Sequence, residues 1–515
     1  MRKIYTLLFT CAVLLASCER NEDVTSNPSN TGSGGVLKVK DNPAAIPVGE
    51  PIARRKLDQT IIQKLEENQD FHWTDVDLNV IWSAIQYGDN SVSVGYKPSG
   101  MGDISSTIHL IDIKSKEWKS VHDALIDLVK TDLERINGRE VKLEEFIIED
   151  DAVLPIITFK LTDREIITKL YNLQNTRYIE PLDYWPEVAE RSSSGCDGSS
   201  EPLNSSDFTT ISPAARLPWN FNLVNVPEAW TKSEGAGITI GVIDAGISSS
   251  QILLNSQFNS GWSAVGRSIT TDYTISNSAF TSCTHGTSMS GLAVGPRNSL
   301  NASTGIAYKA NLHFIRACND VVLDASSERT GVKNALVRMG DRSDVKIISM
   351  SIGTPFSYSV LQDGANYANN KGKLIFAAAG TSFSWTSWWG VIYPARYSAC
   401  VAVTGVRENG STCGSCHDGS QVVFTLPMER NSNNDRNTLS LSASGTTPSY
   451  TGGSSSATAM AAGIAGLVWS ARPTLSKTQV YNALLTTSQF YPSPSGSRGY
   501  GNLNADAAVS RGLSY

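Results

Sequence analysis

From residue 215 onward the chain alternates short, near-continuous apolar runs with stretches of small residues. Residues 238–243 (ITIGVI), 345–350 (VKIISM), 374–379 (LIFAAA) and 400–403 (CVAV) read as strands buried on both faces, the kind that parallel sheets use. Gly- and Ala-rich segments between them leave room for close-packed helices, so residues 215–515 are predicted to form an α/β domain, a mostly parallel sheet flanked by helices. Ligands of such sheets bind outside the carboxyl ends of the strands, and the chemistry is expected there. Residues 90–186 follow another rhythm. Ser91 to Tyr96 alternates, and residues 118–136 put Val121, Leu125, Leu128, Val129 and Leu133 at helical spacing. Residues 155–160 and 177–181 read as strands, and 163–173 as a short helix opening on the N-cap Asp163. Strand, helix, two strands, helix, strand is the ferredoxin-like α+β plan.

Two polar stretches divide the chain. Residues 18–40, with their Gly/Ser-rich centre, cannot bury enough surface to fold and are expected to be a tether. Residues 192–200 (SSSGCDGSS) separate the charged amphipathic half from the half rich in Gly, Ala and Ser. The expected plan is a leader over 1–17, the tether to 40, an N-terminal region over 41–186, a cleavable linker over 187–214 and the α/β domain over 215–515.

Composition narrows the function. With 515 residues, 40% hydrophobic and 18% charged, the chain is ordinary globular protein with room for two or three domains. A net charge of -6 offers no basic surface for nucleic acid, which is dropped as a partner. Arg2 and Lys3 followed by an apolar stretch to Ala16 read as an export signal too short to span a bilayer. The signal ends Leu15-Ala16-Ser17-Cys18, which resembles the lipobox of bacterial lipoproteins, in which the cysteine is lipidated; the alternative is a plain signal peptide with an incidental cysteine. The resemblance implies an exported protein anchored through Cys18 to a bacterial membrane (outer membrane or cell surface), or released from it after processing. Six further cysteines, Cys196, Cys283, Cys318, Cys400, Cys413 and Cys416, would then lie in an oxidising compartment. Cys283 with Cys318 and Cys413 with Cys416 are the expected disulfides.

The candidate chemistry is nucleophilic. A serine that attacks peptides at neutral pH needs a base within hydrogen-bond reach, a carboxylate to fix the imidazole tautomer and donors for the oxyanion. Asp244 ends a buried strand and is followed by Ala245-Gly246, so its carboxylate is expected at the sheet's carboxyl edge. His285 opens a Gly-rich helix. Ser455 lies just before the small-residue helix 457–470, whose N-terminus offers free N–H groups and a positive dipole end. Taken singly, a strand-end Asp is a turn residue, a lone His structural and a serine among serines surface; the ordered set points to catalysis.

At these residues the chain resembles the subtilisin-like serine proteases, the subtilases, over roughly 215–512. The order Asp, His, Ser is that of subtilisin. Residues 240–247 match the Asp motif, with Ala245 where Thr is usual, and His285-Gly286-Thr287 matches the His motif. Gly453-Ser454-Ser455-Ser456-Ala457 with Ala462-Gly463 corresponds to the Ser motif, with Ser454 for Thr and Ala459 for Pro. Tyr393-Pro394-Ala395 is a further family landmark. The resemblance implies a subtilisin-like fold and a serine endopeptidase acting through Asp244, His285 and Ser455. Catalysis would need no cofactor or metal; structural calcium is not readable. It also implies Ser351, Ile352 and Gly353 as a strand pairing with substrate, and Ala378, Ala379 and Gly380 as the second wall of the specificity pocket. These small walls suggest that apolar side chains are accepted. One departure matters: the usual oxyanion Asn is replaced by Thr381, leaving the Thr381 hydroxyl and the Ser455 N–H as donors. Loss of one such donor costs about 10²–10³ in turnover.

Residues 90–186 end in Tyr178-Ile179-Glu180-Pro181, which resembles the closing strand of subtilase prosegments. That implies a zymogen with its own prosegment as inhibitor and a protein or peptide as substrate, and the chain is read as a monomer. The alternative is an unrelated α+β adapter. Cys413-Gly414-Ser415-Cys416-His417 fits a c-type haem pattern, a zinc site or a tight disulfide, the last being the default. Two rival functions stay open: a silent binding lipoprotein on a subtilase scaffold, motivated by Thr381, and an esterase, against which no Gly-x-Ser-x-Gly elbow surrounds Ser455.

Overall fold

The computed structural model describes residues 36–187, 195–381 and 390–515, and residues 36 to 515 form one compact unit. The leader, Cys18 and most of the tether lie outside the described residues.

The N-terminal part carries strands β1 (Ser91–Tyr96), β2 (Ile147–Asp150), β3 (Ile156–Lys160) and β4 (Thr176–Pro181) in the order β2-β3-β1-β4. All three pairings are antiparallel. Its helices are α1 (Arg54–Asn68), α2 (Leu78–Tyr87), α3 (Lys116–Asn137) and α4 (Arg164–Tyr171). With α3 between β1 and β2 and α4 between β3 and β4, this is the expected ferredoxin-like plan. Asp163 caps α4 by accepting from the Glu165 and Ile166 N–H groups. Helices α1 and α2 have no counterpart in the sequence reading; they bury Leu57, Ile61, Leu65, Ile81 and Ile85 in the same core. Residues 36–40 are not a free end of the tether: Lys38 N–H donates to Asn175 (2.9 Å) and Lys40 N–H to the Asn172 carbonyl (2.7 Å).

The second part begins with a hairpin, β5 (Phe208–Ile211) and β6 (Ala215–Pro218), and short helices α5 (Trp219–Leu223) and α6 (Val226–Ala229). Seven strands then build one sheet: β7 (Thr239–Asp244), β8 (Ile269–Tyr273), β9 (Asn311–Arg316), β10 (Val345–Met350), β11 (Leu374–Ala378), β12 (Val401–Arg407) and β13 (Val422–Glu429). Their order is β13-β12-β11-β10-β7-β9-β8, and every neighbouring pair is parallel. A small antiparallel pair follows, β14 (Thr438–Ser440) with β15 (Ser449–Thr451). The helices are α7 (His285–Val294), α8 (Ser326–Asp341), α9 (Ser359–Asn370), α10 (Gly453–Ala471), α11 (Lys477–Thr486) and α12 (Ala505–Leu513). Helix α10 is apolar all round because it is buried from Ala457 to Trp469.

The two parts meet through charge set into apolar surface. Arg177 on β4 makes a bidentate pair with Asp363 of α9 (2.7 and 2.8 Å), which Tyr178 also bonds (3.1 Å). Glu180 accepts from the Ser359 N–H (2.8 Å) and hydroxyl (2.6 Å) at the start of α9, while Asp183 accepts from the Ser326 N–H (2.8 Å) at the start of α8. Each carboxylate satisfies an orphan donor at a positive helix end. Lys333 of α8 is buried between Glu149 (2.9 Å) and Asp151.

Candidate active site

Asp244, His285 and Ser455 reach one place because each stands where an element meets the sheet's carboxyl edge. Asp244 is the last residue of β7, an interior strand beside the central β10, His285 the first of α7 and Ser455 the third of α10. Asp244 is fully buried. Its Oδ1 accepts from the Ala245 N–H (2.8 Å), and both its oxygens face His285 Nδ1 at 2.8 and 3.1 Å. That bond fixes Nδ1 as the protonated nitrogen and leaves Nε2 as base. Ser455 and His285 line the same cleft. The Ser455 hydroxyl donates to the Ser351 carbonyl (3.4 Å), and among the described residues no hydrogen bond joins it to His285. Such bonds often tighten only once substrate is in place.

Around Thr381, the predicted oxyanion donor, the contacts are more elaborate than the sequence suggested. The first turn of α10 leaves its N–H groups without intrahelical partners. The Ser454 N–H is taken by Thr381 Oγ1 (3.2 Å), and Thr381 Oγ1 also bonds Ser454 Oγ (3.1 Å). The Gly380 N–H donates to Ser454 Oγ (3.1 Å). A Cβ on Gly453, whose φ is +69°, would lie 2.5 Å from Thr381 Oγ1, so glycine is what lets the two segments touch.

The two substrate walls are brought to the cleft unequally. Ser351, Ile352, Gly353, Ala378 and Gly380 line it. Ala379 does not: it is fully buried, its N–H donates to the Val403 carbonyl (2.9 Å) and its carbonyl accepts from Ile392 (2.9 Å). Gly353 lines the cleft but its backbone is spent, the N–H on the Val321 carbonyl (2.8 Å) and the carbonyl on the Leu323 N–H (2.9 Å). The Ser351 carbonyl accepts from the Ser455 hydroxyl (3.4 Å).

The expected Cys283–Cys318 disulfide is corrected. Cys283 bonds Cys196, and Cys318 is a free, buried thiol whose pKa burial pushes well up. The reason is the linker's path. The Cys196 carbonyl accepts from the Thr284 N–H (3.2 Å) and hydroxyl (3.1 Å), and Gly195 to Glu201 run along the cleft beside His285. A cysteine two residues before the candidate base was the one signal that could have flagged this. Cys413 bonds Cys416 as expected, so the two sulfurs are committed to each other. Among the described residues no group of three or more His, Cys, Asp or Glu side chains could hold a metal ion, and no helix is long and apolar enough to cross a membrane.

The chain is similar to known proteins. Thermitase of Thermoactinomyces vulgaris is 31% identical over 254 residues, covering 48% of this chain and 79% of thermitase. The thermostable alkaline protease of Halalkalibacterium halodurans is 30% identical over 281 residues, 54% of this chain and 70% of the protease. Among solved structures, proteases from Pseudoalteromonas arctica align over 56% of this chain and 94% of theirs, at 21% identity and a TM-score of 0.46. Residues 235–502, over half the chain and including Asp244, His285 and Ser455, match the subtilase family. The protein therefore belongs to the subtilases, the subtilisin-like family of serine-type endopeptidases.

Proposed function

We propose that the chain is an exported zymogen that hydrolyses peptide bonds through an acyl-enzyme on Ser455. His285 takes the Ser455 proton and returns it to the leaving amine, while Asp244 holds the imidazole and stabilises the imidazolium. The developing oxyanion is met by the Ser455 N–H and the Thr381 hydroxyl. If Ser454 Oγ, which accepts from Gly380, donates to Thr381 Oγ1, then Thr381 accepts twice from Ser454 and its own proton is left for the cleft. The observation that carries the reading is the buried Asp244–His285 bond (2.8 Å) in the cleft that Ser455 lines.

Residues 41–186 contain in this reading the prosegment, about 90–186, seated on α8 and α9, and residues 187–214 contain the processing site. Export and anchoring through Cys18 rest on the leader sequence alone. The paired test is the intact mass of the wild-type and Ser455→Ala chains after expression with export. The wild type is expected to be shortened within the linker and the variant to keep everything downstream of the leader. Identical masses would count against self-processing. The Ser455 hydroxyl's bond to the Ser351 carbonyl (3.4 Å) favours one second reading, a silent binding protein on the same scaffold. Wild type that cleaves no peptide at any pH from 5 to 10 would select it.

A further inference from the structure

Thr381 carries its hydroxyl on Cβ, so once its two bonds to Ser454 set χ1, the position of that hydroxyl follows the main chain. An oxyanion donor has to sit about 2.7–3.1 Å from the oxygen it stabilises. The backbone at 380–381 therefore has to be held on both sides. One side is the α10 N-terminus through Ser454, already described. The other is the loop 413–417. The His417 N–H donates to the Gly380 carbonyl (2.9 Å), and Cys416 pairs with Thr381 in an antiparallel bridge. The His417 ring, buried, fills the space over Gly380: a Cβ there would lie 2.3 Å from Nδ1, and Gly380 has a φ of +122°, so only glycine fits.

The loop is itself anchored to the sheet. Its carbonyl at His417 accepts from the Thr404 hydroxyl (2.5 Å) of β12, and its Gly414 N–H donates to Glu429 (2.7 Å) of β13. The Cys416 sulfur is seated against Gly405, where a Cβ would come within 2.7 Å, and the Cys413–Cys416 disulfide closes the turn.

We propose that the disulfide loop Cys413 to His417 is a positioning element for the oxyanion side of the cleft, acting through the main chain of Gly380 and the hydroxyl of Thr381. This rests on the reading of Thr381 as an oxyanion donor. Of the loop, Ser415 lines the cleft, while the disulfide and His417 stand behind Gly380 and transmit the fixed position of β12 and β13 to Thr381.

The test is kinetic and uses the processed enzyme from the full chain. The double variant Cys413→Ser/Cys416→Ser and, separately, His417→Ala, which keeps the disulfide, are each made alone and with Thr381→Val. Turnover of a peptide substrate is normalised to sites labelled to completion by a fluorophosphonate, so unfolded protein is not counted. Thr381→Val alone is expected to lower kcat by about 10². Each loop change alone is expected to lower kcat by about tenfold with KM within about twofold, and to add less than about twofold in the Thr381→Val background. Unchanged kcat per labelled site, or the same fold loss in both backgrounds, would overturn the proposal, because a merely structural loop acts regardless of Thr381. A wild type that takes the label and turns over peptide while showing either result fails the inference alone. A wild type that neither labels nor cleaves fails the protease reading, and the inference with it.

Discussion

Protonation of Glu180 should control how tightly the N-terminal domain sits on the catalytic domain. The Glu180 carboxyl is buried at the start of α9, and that burial pushes its pKa up from 4.5 to about 7. The Ser359 bonds oppose the shift, the Asp363 carboxylate adds to it and His72 works against it. Once the domains separate, the group returns to water and to an ordinary glutamate pKa. Between the two values the docked state holds a proton that the separated state has lost, so docking weakens as pH rises. It is at full strength below about 4.5, falls through the interval and is level above about 7. The gap corresponds to about 3 kcal/mol, or roughly 10²-fold in the opening constant. His72 adds no such trend: the bond that raises its pKa goes to Asp70 of the same domain and persists when the domains separate. Asp70 acts at the other end. Burial raises it, but the His72 and Tyr393 bonds and Arg396 outweigh that and hold it at about 2, so its contribution is lost only in strong acid. The assay is hydrogen exchange of the Ser326, Ser357 and Ser359 amides, which donate across the interface to Asp183, Phe71 and Glu180, in the full-length Ser455→Ala chain, corrected for intrinsic exchange, with β10 amides as internal reference. Protection of these amides should fall from pH 4.5 to 7 and level off, and most of that slope should vanish in Glu180→Gln, which keeps the shape and the acceptor for Ser359. Protection that rises with pH, or a slope that survives Glu180→Gln intact, refutes the reasoning.

Other expectations follow from named contacts. Arg177→Ala leaves the buried Asp363 carboxylate without its counter-charge at the same interface and should weaken docking by about 3–5 kcal/mol, read as faster exchange of the same interface amides at every pH; exchange at the wild-type rate would contradict it. Asp244→Asn keeps the geometry but fixes the wrong imidazole tautomer, so kcat should fall by about 10⁴ with KM little changed. Because residues 195–201 are held on the catalytic domain by Cys196–Cys283 and by Thr284, processing is expected before Cys196, and the N-terminal fragment should separate without reductant. A fragment that separates only with reductant would place the cut after Cys196.

Much of the fold was legible because the relevant signals are local. The runs at 238–243 and 345–350 became β7 and β10, and the alternating N-terminal segments became a βαββαβ sheet with Asp163 at the cap of α4. Asp244, His285 and Ser455 could be picked out because each stands at a strand end or helix start marked by glycine. What stayed hidden depends on partners distant in the chain. Composition marks 192–200 as a solvated linker, yet a disulfide and two bonds from Thr284 hold Cys196 beside His285. Gly353 carries no sign that its backbone is already paired with Val321 and Leu323, and Thr381 none that Ser454 and Cys416 flank it.

The central claim is that Ser455 is a nucleophile activated by His285 and Asp244, and covalent labelling tests it most directly. The processed wild type is treated with a fluorophosphonate and digested, and the modified residue is mapped by tandem mass spectrometry. The account predicts one adduct, on Ser455, absent in Ser455→Ala and slowed at least about 10³-fold in His285→Ala, both variants being first cut at the linker by added wild-type enzyme. An adduct on another residue, or no adduct on a folded and processed chain, would contradict it.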